Sequence, residues 1–570
     1  MGFLTLGVIG VVVVVLVTTL APRTGIAAPL VLTLLGIGVS FLPIIGPIEL
    51  NPEWVLVWVL PPLLYSTAVN TPTMDFRRDL STISIFAVLL VIVSAVGIGF
   101  LLAWLVPGLP LPVGIAVGAI VSPTDAVATG IVRKAGVSPR IVTVLEGEAL
   151  FNDASSLVLL RSAVAAFSVT VSFWSVAVDF LYAVALALLI GFVVGHLNVA
   201  IRSRIPQVAS NVAFSLVTPF LAFVPAEHLH ASGLVAAVTA GLVTGHHTPE
   251  RLAAEVRIAE QAVWRTAELL LESAVFLLMG VQLAALLNDV HHSPHTEWMA
   301  VFLGAAAATA VIAARSLFVA AAVWLLARRA RRMPSRRKQM VALQSRLDSA
   351  EPANWGGRPV DPRRINRVQQ FLERQVADLD YLAAEQFGWK DGVILVTAGM
   401  RGAITLAAAQ SLPLETPYRS LLVLTAFVVA AGTLMLQGFT LAPLVKLLKI
   451  TGRDPHADDE LMCRLRGELA AAALADLEQG VLRRPDGTQF PAEVIAESRK
   501  LLETVIDPDE ELSEQAVDLA YLRLEVIESQ RAELLRIRNQ GTYPSELLDS
   551  KLAQLDADQI GIELRHRPSD

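Results

Sequence analysis

Residues 141–167 read IVTVLEGEALFNDASSLVLLRSAVAAF, a stretch long and apolar enough to cross a membrane as one helix. Its middle part carries three acids and an amide, which are Glu146, Glu148, Asn152 and Asp153. A carboxylate at the bilayer centre costs about 2.5–3.5 kcal/mol on insertion scales, so acids inside a membrane usually belong to an ion or proton pathway. This stretch therefore predicts a membrane-spanning helix whose polar groups have a function.

The whole chain has the composition of a polytopic membrane protein. It is 54% hydrophobic, with a mean hydropathy of +0.58 over 570 residues. Its apolar runs predict about thirteen transmembrane helices of about 20 residues each. We place them at roughly 3–20, 27–45, 53–70, 81–106, 111–132, 141–165, 175–200, 209–226, 231–247, 268–287, 298–327, 391–411 and 420–448. The expected fold is an all-α polytopic membrane protein.

Charge divides the chain into two regions and orients it. Residues 451–570 hold 26 acidic against 14 basic residues, a net charge of −12, whereas the rest is net positive. We expect a transmembrane domain over 1–450, with a cytoplasmic insertion at 328–390, and an acidic helical tail over 451–570. Basic residues fall in every second loop, so the positive-inside rule predicts an external N-terminus and a cytoplasmic tail. The inner (plasma) membrane is the expected location.

Two other apolar segments contain signs of a broken helix. Pro123-Thr124-Asp125 lies inside the predicted span 111–132, where proline removes a backbone donor. Gly399-Met400-Arg401-Gly402 lies inside the span 391–411. Two discontinuous helices that cross at mid-membrane, one in each half of the domain, indicate inverted repeats and an ion site. The buried Arg401 needs a carboxylate, and we expect Glu148 to be its partner.

Helical spacing gives the acids of residues 146–153 two different faces. Glu148 and Asn152 are four residues apart and share one face, whereas Glu146 and Asp153 share another. A hydrogen-bond network that only joins helices would explain Glu148 and Asn152 as well as a role in transport does. It explains Asp153 poorly, because such a network needs few acids. Asp153 is therefore the main candidate for binding an ion.

Three strings of the sequence resemble those of a known family. SPTDAVAT (122–129), EGEALFNDASSLVL (146–159) and GMRGAITLA (399–407) look like the motifs of monovalent cation/proton antiporters of the sodium/proton exchanger family. The Asn-Asp pair at 152–153 is similar to that of the bacterial and archaeal branch related to animal exchangers. The resemblance covers residues 1–450 well and the tail moderately. It implies a homodimer in which a core domain moves against a dimer domain.

The resemblance also implies roles for single residues. Asp153 would bind either Na⁺ or a proton, Thr124 and Asp125 would lie where the unwound helices cross, and Asn152 would help to hold that crossing. Glu148 and Arg401 would form the core ion pair. This chain departs from many relatives in having Ala149 after the second glutamate and Ser66 in the segment PPLLYSTA (61–68). Both departures remove side-chain oxygens, which puts the choice between Na⁺ and K⁺ in doubt.

Competition between a cation and a proton for Asp153 predicts the activity. We expect the exchange of Na⁺, or of Li⁺ or K⁺, for H⁺, electroneutral and one for one; a K⁺/H⁺ antiporter is the alternative. Glu146, Glu272 and Ser66 are possible accessory residues. A gated cation channel is a different class of function, against which the paired broken helices argue.

Other classes find little support in the residues. The spans contain no nucleophile–base pair and no His-rich metal motif, so we do not expect an enzyme. The absence of a Gly-rich phosphate loop argues against ATP as the energy source, and no cofactor is expected. Nucleic acid is not expected as a partner, because the basic loops are explained by topology.

Overall fold

The computed structural model of the protein is almost entirely helical. It describes residues 3–24, 26–42, 52–125, 127–168, 173–292, 296–330, 333–349, 362–384, 387–448, 455–484, 486–506, 522–531, 534, 551 and 554–562, and these ranges contain no β-strand. The chain divides into two compact units, Met1–Gly452 and Arg453–Asp570.

The described helices of the first unit come in a fixed order along the chain. They are α1 (Phe3–Thr24), α2 (Ala28–Ser40), α3 (Leu60–Asn70), α4 (Thr73–Ser84), α5 (Val91–Leu105), α6 (Leu111–Val121), α7 (Val127–Lys134), α8 (Pro139–Ser168), α9 (Phe173–Arg202), α10 (Val208–His228), α11 (Gly233–Arg251), α12 (Ala254–Val281), α13 (Leu283–His291), α14 (Glu297–Ala330), α15 (Met333–Ser349), α16 (Pro362–Ala384), α17 (Trp389–Thr397), α18 (Ala403–Gln410) and α19 (Arg419–Leu447). Wider helical turns at Trp54–Val59 and Ile85–Leu90 lead into α3 and α5.

Seven helical stretches in the described ranges are long and apolar enough to cross a membrane. They are Thr73–Leu105, Pro139–Phe167, Val178–Arg202, Val208–His228, Ala254–His291, Glu297–Arg328 and Arg419–Leu447, and shorter apolar helices accompany them. The stretch from Ala254 begins earlier than the predicted span 268–287, because charged residues near its start lower the hydropathy without interrupting the helix. Large apolar side chains such as Phe100 and Leu317 are exposed on the outside, as lipid contact requires.

Small residues allow α5 and α6 to approach closely. A Cβ added at Gly118 would collide with the backbone of Ala95, and one at Gly114 would collide with the backbone of Gly99. Close backbone approach over small residues is a common way to pack helices where water supplies no driving force. This contact fixes α6, and with it the irregular segment that follows Val121.

Two arginines at helix ends are buried in ion pairs. Arg140 in α8 contacts both carboxylate oxygens of Asp79 in α4, at 2.9 and 2.7 Å. Arg202, at the end of α9, lies 2.8 Å from Glu260 in α12. Both belong to the basic residues near loops from which the positive-inside rule predicts the topology, but their guanidinium groups face the protein interior. A buried charge is stable only when it is paired in this way.

The amphipathic helix α16 contacts the membrane domain at the start of α4. Asp378 accepts a hydrogen bond from Arg78 at 2.7 Å and one from Arg77 at 3.2 Å. The Arg78 guanidinium also lies 4.6 Å from the centre of the Tyr381 ring. The insertion between α14 and α17 is therefore attached to the transmembrane part by charge and ring contacts.

The second unit is a separate helical structure. Its longest described helices are α20 (Pro455–Glu478) and α21 (Ala492–Ile506), and residues 522–531 and 554–562 are also helical. Ile527, Leu555 and Ile562 form a small apolar cluster. Arg531 pairs with Asp556 at 2.6 Å beside it.

Candidate functional site

Two helices of the first unit are interrupted at the positions that the sequence predicts. Residues 122–126 separate α6 from α7, and residues 398–402 separate α17 from α18. The two irregular segments touch, because the Asp125 amide donates a hydrogen bond of 2.8 Å to the Met400 carbonyl. Asp125 also accepts a 3.1 Å hydrogen bond from the Val127 amide, which satisfies a free donor at the start of α7. A side chain at Gly402 would collide with Asp125, so this contact needs glycine.

Thr124 connects the first irregular segment to α8. Its hydroxyl accepts a 2.7 Å hydrogen bond from the Asn152 amide and donates a 3.3 Å hydrogen bond to Glu148. Asn152 and Glu148 reach the same hydroxyl because four residues of helix place them on one face. The Asn152 side-chain oxygen is buried without a hydrogen-bond partner in the described part of the chain. A free acceptor therefore belongs to the residue that precedes Asp153 in α8.

Glu148 forms its ion pair with Arg315 of α14, so the predicted pair between Glu148 and Arg401 is wrong. Both terminal nitrogens of Arg315 contact the Glu148 carboxylate, one of them at 2.9 Å, and the Arg315 Nε donates a 2.7 Å hydrogen bond to the Leu395 carbonyl in α17. Both side chains are 1% exposed. The arrangement joins α8, α14 and α17 at one point.

Arg401 instead donates hydrogen bonds to backbone carbonyls at the interruption of the helix. Its guanidinium donates hydrogen bonds to the carbonyls of Val121 at 3.0 Å and Ser122 at 3.3 Å, and to that of Gly399. The final carbonyls of a helix lack partners within the helix and attract positive charge. Arg401 therefore caps the interrupted end of α6, which explains why a carboxylate is not its hydrogen-bond partner.

Asp153 lies in α8 directly after this network, and only 6% of its surface is exposed. Among the described residues, no hydrogen bond or ion pair engages its carboxylate; Ser156 binds only its backbone carbonyl, at 2.8 Å. The charged group that acts on it is Asp125 of the first irregular segment. A buried carboxylate without a counter-charge is costly unless a proton or a cation neutralises it.

Asp125 also acts electrostatically on an acid of α12. Glu272 is within the electrostatic range of both Asp125 and Glu268. The buried Ser66 donates a 3.5 Å hydrogen bond to Glu268, one turn of helix before Glu272. The accessory candidates Ser66 and Glu272 are thus connected through Glu268, and Asp125 acts electrostatically on both Glu272 and Asp153.

Glu146, the remaining accessory candidate, lies apart from Asp153. Its carboxylate pairs with Arg133 near the end of α7, and the Arg133 side chain is 64% exposed. Glu146 therefore belongs to the rim of the domain. Its side chain pairs with a solvated cation of α7 and not with the irregular segment between α6 and α7.

The site offers oxygen ligands without a basic group among them. The Asp153 carboxylate and the unpartnered Asn152 oxygen are hard donors, of the type that binds alkali-metal cations. The nearby cations Arg315 and Arg401 are committed to Glu148 and to backbone carbonyls. The geometry therefore allows Asp153 to hold either a cation or a proton.

Sequence reasoning missed Arg315. The signal was present, because Arg315 is an isolated cation in the apolar part of the predicted span 298–327, and such residues usually have a buried partner. The same rule had singled out Arg401.

Comparison with known proteins gives one consistent result. The sequence model described as "Sodium/hydrogen exchanger, transmembrane" matches residues 11–447. The chain is 29% identical to the "Uncharacterized Na(+)/H(+) exchanger YjcE" of Escherichia coli, and the alignment covers 89% of each chain. It is 33% identical to the "Sodium, potassium, lithium and rubidium/H(+) antiporter" of Bacillus pumilus, over 45% of this chain and 40% of that one.

A solved structure has a similar fold. The sodium proton antiporter MjNhaP1 from Methanocaldococcus jannaschii at pH 8 matches with a TM-score of 0.56 at 15% sequence identity. The match covers 78% of this chain and 97% of that one. The chain therefore shares the fold of this antiporter, although the two sequences are only 15% identical.

Proposed function

Because the chain belongs to the sodium/hydrogen exchanger family, we propose that Asp153 is the carboxylate on which its two transported ions compete. The protein is a membrane-embedded antiporter that exchanges Na⁺ for H⁺, and its family is one of transporters, not enzymes. The observation that carries the proposal is the environment of Asp153. Its carboxylate is buried and has no counter-charge among the described residues, and the preceding residue, Asn152, has an unpartnered side-chain oxygen.

Competition at one carboxylate makes exchange obligatory. The charged Asp153 is unfavourable inside a low-dielectric domain, whereas the form neutralised by Na⁺ or by H⁺ is not. Only the two loaded forms then move between the two sides of the membrane. Asn152 beside it is neutral, so one cation exchanges for one proton and no net charge crosses.

The interrupted helices provide the frame for this movement. We assign Thr124 and Asp125 to the crossing of two discontinuous helices, which are counterparts in a pair of inverted repeats. The hydrogen bond from Asp125 to Met400 supports this assignment, as does the role of Arg401 at the open end of α6. Helix ends near mid-membrane are a general way to form ion sites in transporters that work by alternating access.

The proposal for orientation and assembly rests on the sequence. Basic residues in alternate loops favour an external N-terminus and a cytoplasmic C-terminal tail in the plasma membrane. The tail, residues 451–570, and the insertion, 328–390, are then two cytoplasmic regions attached to one transport domain. The family resemblance supports a homodimer.

The proposal is tested by collapsing a pH gradient in liposomes that contain the purified protein. We expect Na⁺ and Li⁺ added outside to dissipate the gradient, and the same assay with K⁺ ranks that cation. The rate should be unchanged when a membrane potential is clamped at either sign. Silence toward every cation would contradict the exchange activity, and acceleration by a potential would contradict one-for-one exchange.

A further inference from the structure

An apolar groove runs along the outside of the membrane domain between α14 and α17. Its volume is about 490 Å³, and its walls include Val319, Val323 and Trp324 from α14 and Val393 and Val396 from α17. The groove remains open because Gly392 contributes no side chain; a Cβ there would lie 3.3 Å from Val323. Only 17% of the apolar stretch of α14 is buried, so the groove faces the surrounding membrane.

The two ends of the groove differ chemically. One end has Trp324 and Trp389, which are 55% and 67% exposed, and exposed tryptophans favour the membrane–water interface. The Arg328 guanidinium lies 3.6 Å from the centre of the Trp324 ring at this end. Arg328 is also the first residue of the basic run 328–338. The Arg328 guanidinium thus lies at the depth expected for a lipid headgroup.

The other end lies deep in the membrane. It is formed by Ser316 and Thr397, and Ser316 follows the buried Arg315. From Ser316 to Ala327 the helix rises about 16 Å, which is about half of the hydrocarbon thickness of a bilayer. One acyl chain of a single leaflet fits that length.

We propose that this groove binds one acyl chain of an anionic phospholipid, whose phosphate is held by Arg328. Charge complementarity selects the headgroup, and the apolar walls accommodate the chain. The site is separate from Asp153 and from the exchange reaction. It lies on α14, which brings Arg315 to Glu148, and on α17, whose Leu395 carbonyl accepts a hydrogen bond from Arg315.

The site is tested by crosslinking with a photoactivatable phosphatidylglycerol in liposomes, followed by peptide mapping. We expect the label on residues 316–328 and 389–397. Ala320→Phe, which fills the groove, should reduce that labelling. Ala321→Phe is the matched control, since Ala321 is exposed on the same helix but does not line the groove. Equal labelling of the two variants would overturn the proposal.

The headgroup contact is tested with a second variant that leaves the groove open. Arg328→Gln should reduce labelling by photoactivatable phosphatidylglycerol by about fivefold, the effect of one basic residue at an anionic surface. Labelling by phosphatidylcholine with the same acyl chain should be weaker in the wild type and unchanged in the variant.

The control variant is Arg204→Gln, which changes an exposed arginine remote from the groove in sequence and should be labelled as the wild type is. Equal labelling of the wild-type groove by both lipids would contradict an anionic ligand. None of these readouts depends on transport.

Discussion

Asp153→Asn is expected to reduce cation-driven collapse of a pH gradient to the level of empty liposomes. The amide preserves the size of the side chain, but it cannot exchange a proton for a cation. The protein should still fold, because no described residue uses the Asp153 carboxylate in a hydrogen bond or ion pair. The measurement is the initial rate in proteoliposomes at matched protein content.

Two neighbouring acids provide the controls for Asp153→Asn. Glu146→Gln removes the charge of a pair with the exposed Arg133, and the amide oxygen can still accept a hydrogen bond from that guanidinium. Its transport rate should stay close to that of the wild type. Glu272→Gln changes the charge near Asp125 and should shift the cation affinity without abolishing exchange. If Asp153→Asn remained active while Glu272→Gln became silent, the ion site would belong to α12.

The second large effect is expected at the buried pair of Glu148 and Arg315. Arg315→Gln leaves the Glu148 carboxylate buried without its partner, and breaking such a pair costs about 3–5 kcal/mol. We expect a large loss of thermal stability in detergent, measured by the fraction of protein that stays monodisperse after heating. The double variant Glu148→Gln, Arg315→Gln should recover much of that loss, because no unpaired charge remains.

Arg401 makes this experiment a choice between two pairings. Combining Glu148→Gln with Arg401→Gln should give little recovery, because the Arg401 guanidinium binds backbone carbonyls and not the carboxylate. A double-mutant cycle measures the difference directly. Strong coupling between Glu148 and Arg401, with none between Glu148 and Arg315, would restore the pairing that the sequence suggested.

That error shows where sequence reasoning ends for this chain. Helical spacing correctly placed Glu148 and Asn152 on one face, since both bind Thr124. Proline at 123 and the glycines around Arg401 marked the two interruptions. These features depend only on residues that are close together in the sequence, so a single segment is enough to predict them.

The partner of Glu148 depends on how distant helices pack, which periodicity within one helix cannot specify. Two buried arginines, Arg315 and Arg401, were possible partners for the Glu148 carboxylate. Arg315 binds it, whereas Arg401 binds the backbone carbonyls at the end of α6. Arg140 and Arg202 show a related limit. Their positions at helix ends resemble those of loop residues, and only tertiary contact with Asp79 and Glu260 shows that they are buried.

The central claim is that Na⁺ and H⁺ share the Asp153 carboxylate, and proton release on Na⁺ binding tests it most directly. Purified protein in weakly buffered detergent solution would be titrated with NaCl in the presence of a pH indicator, with choline chloride as the control salt. Because a cation displaces the proton from its ligand, the wild type should release about one proton for each Na⁺ bound. Asp153→Asn should release none. Na⁺ binding without proton release in the wild type, or equal release in the variant, would contradict a shared carboxylate.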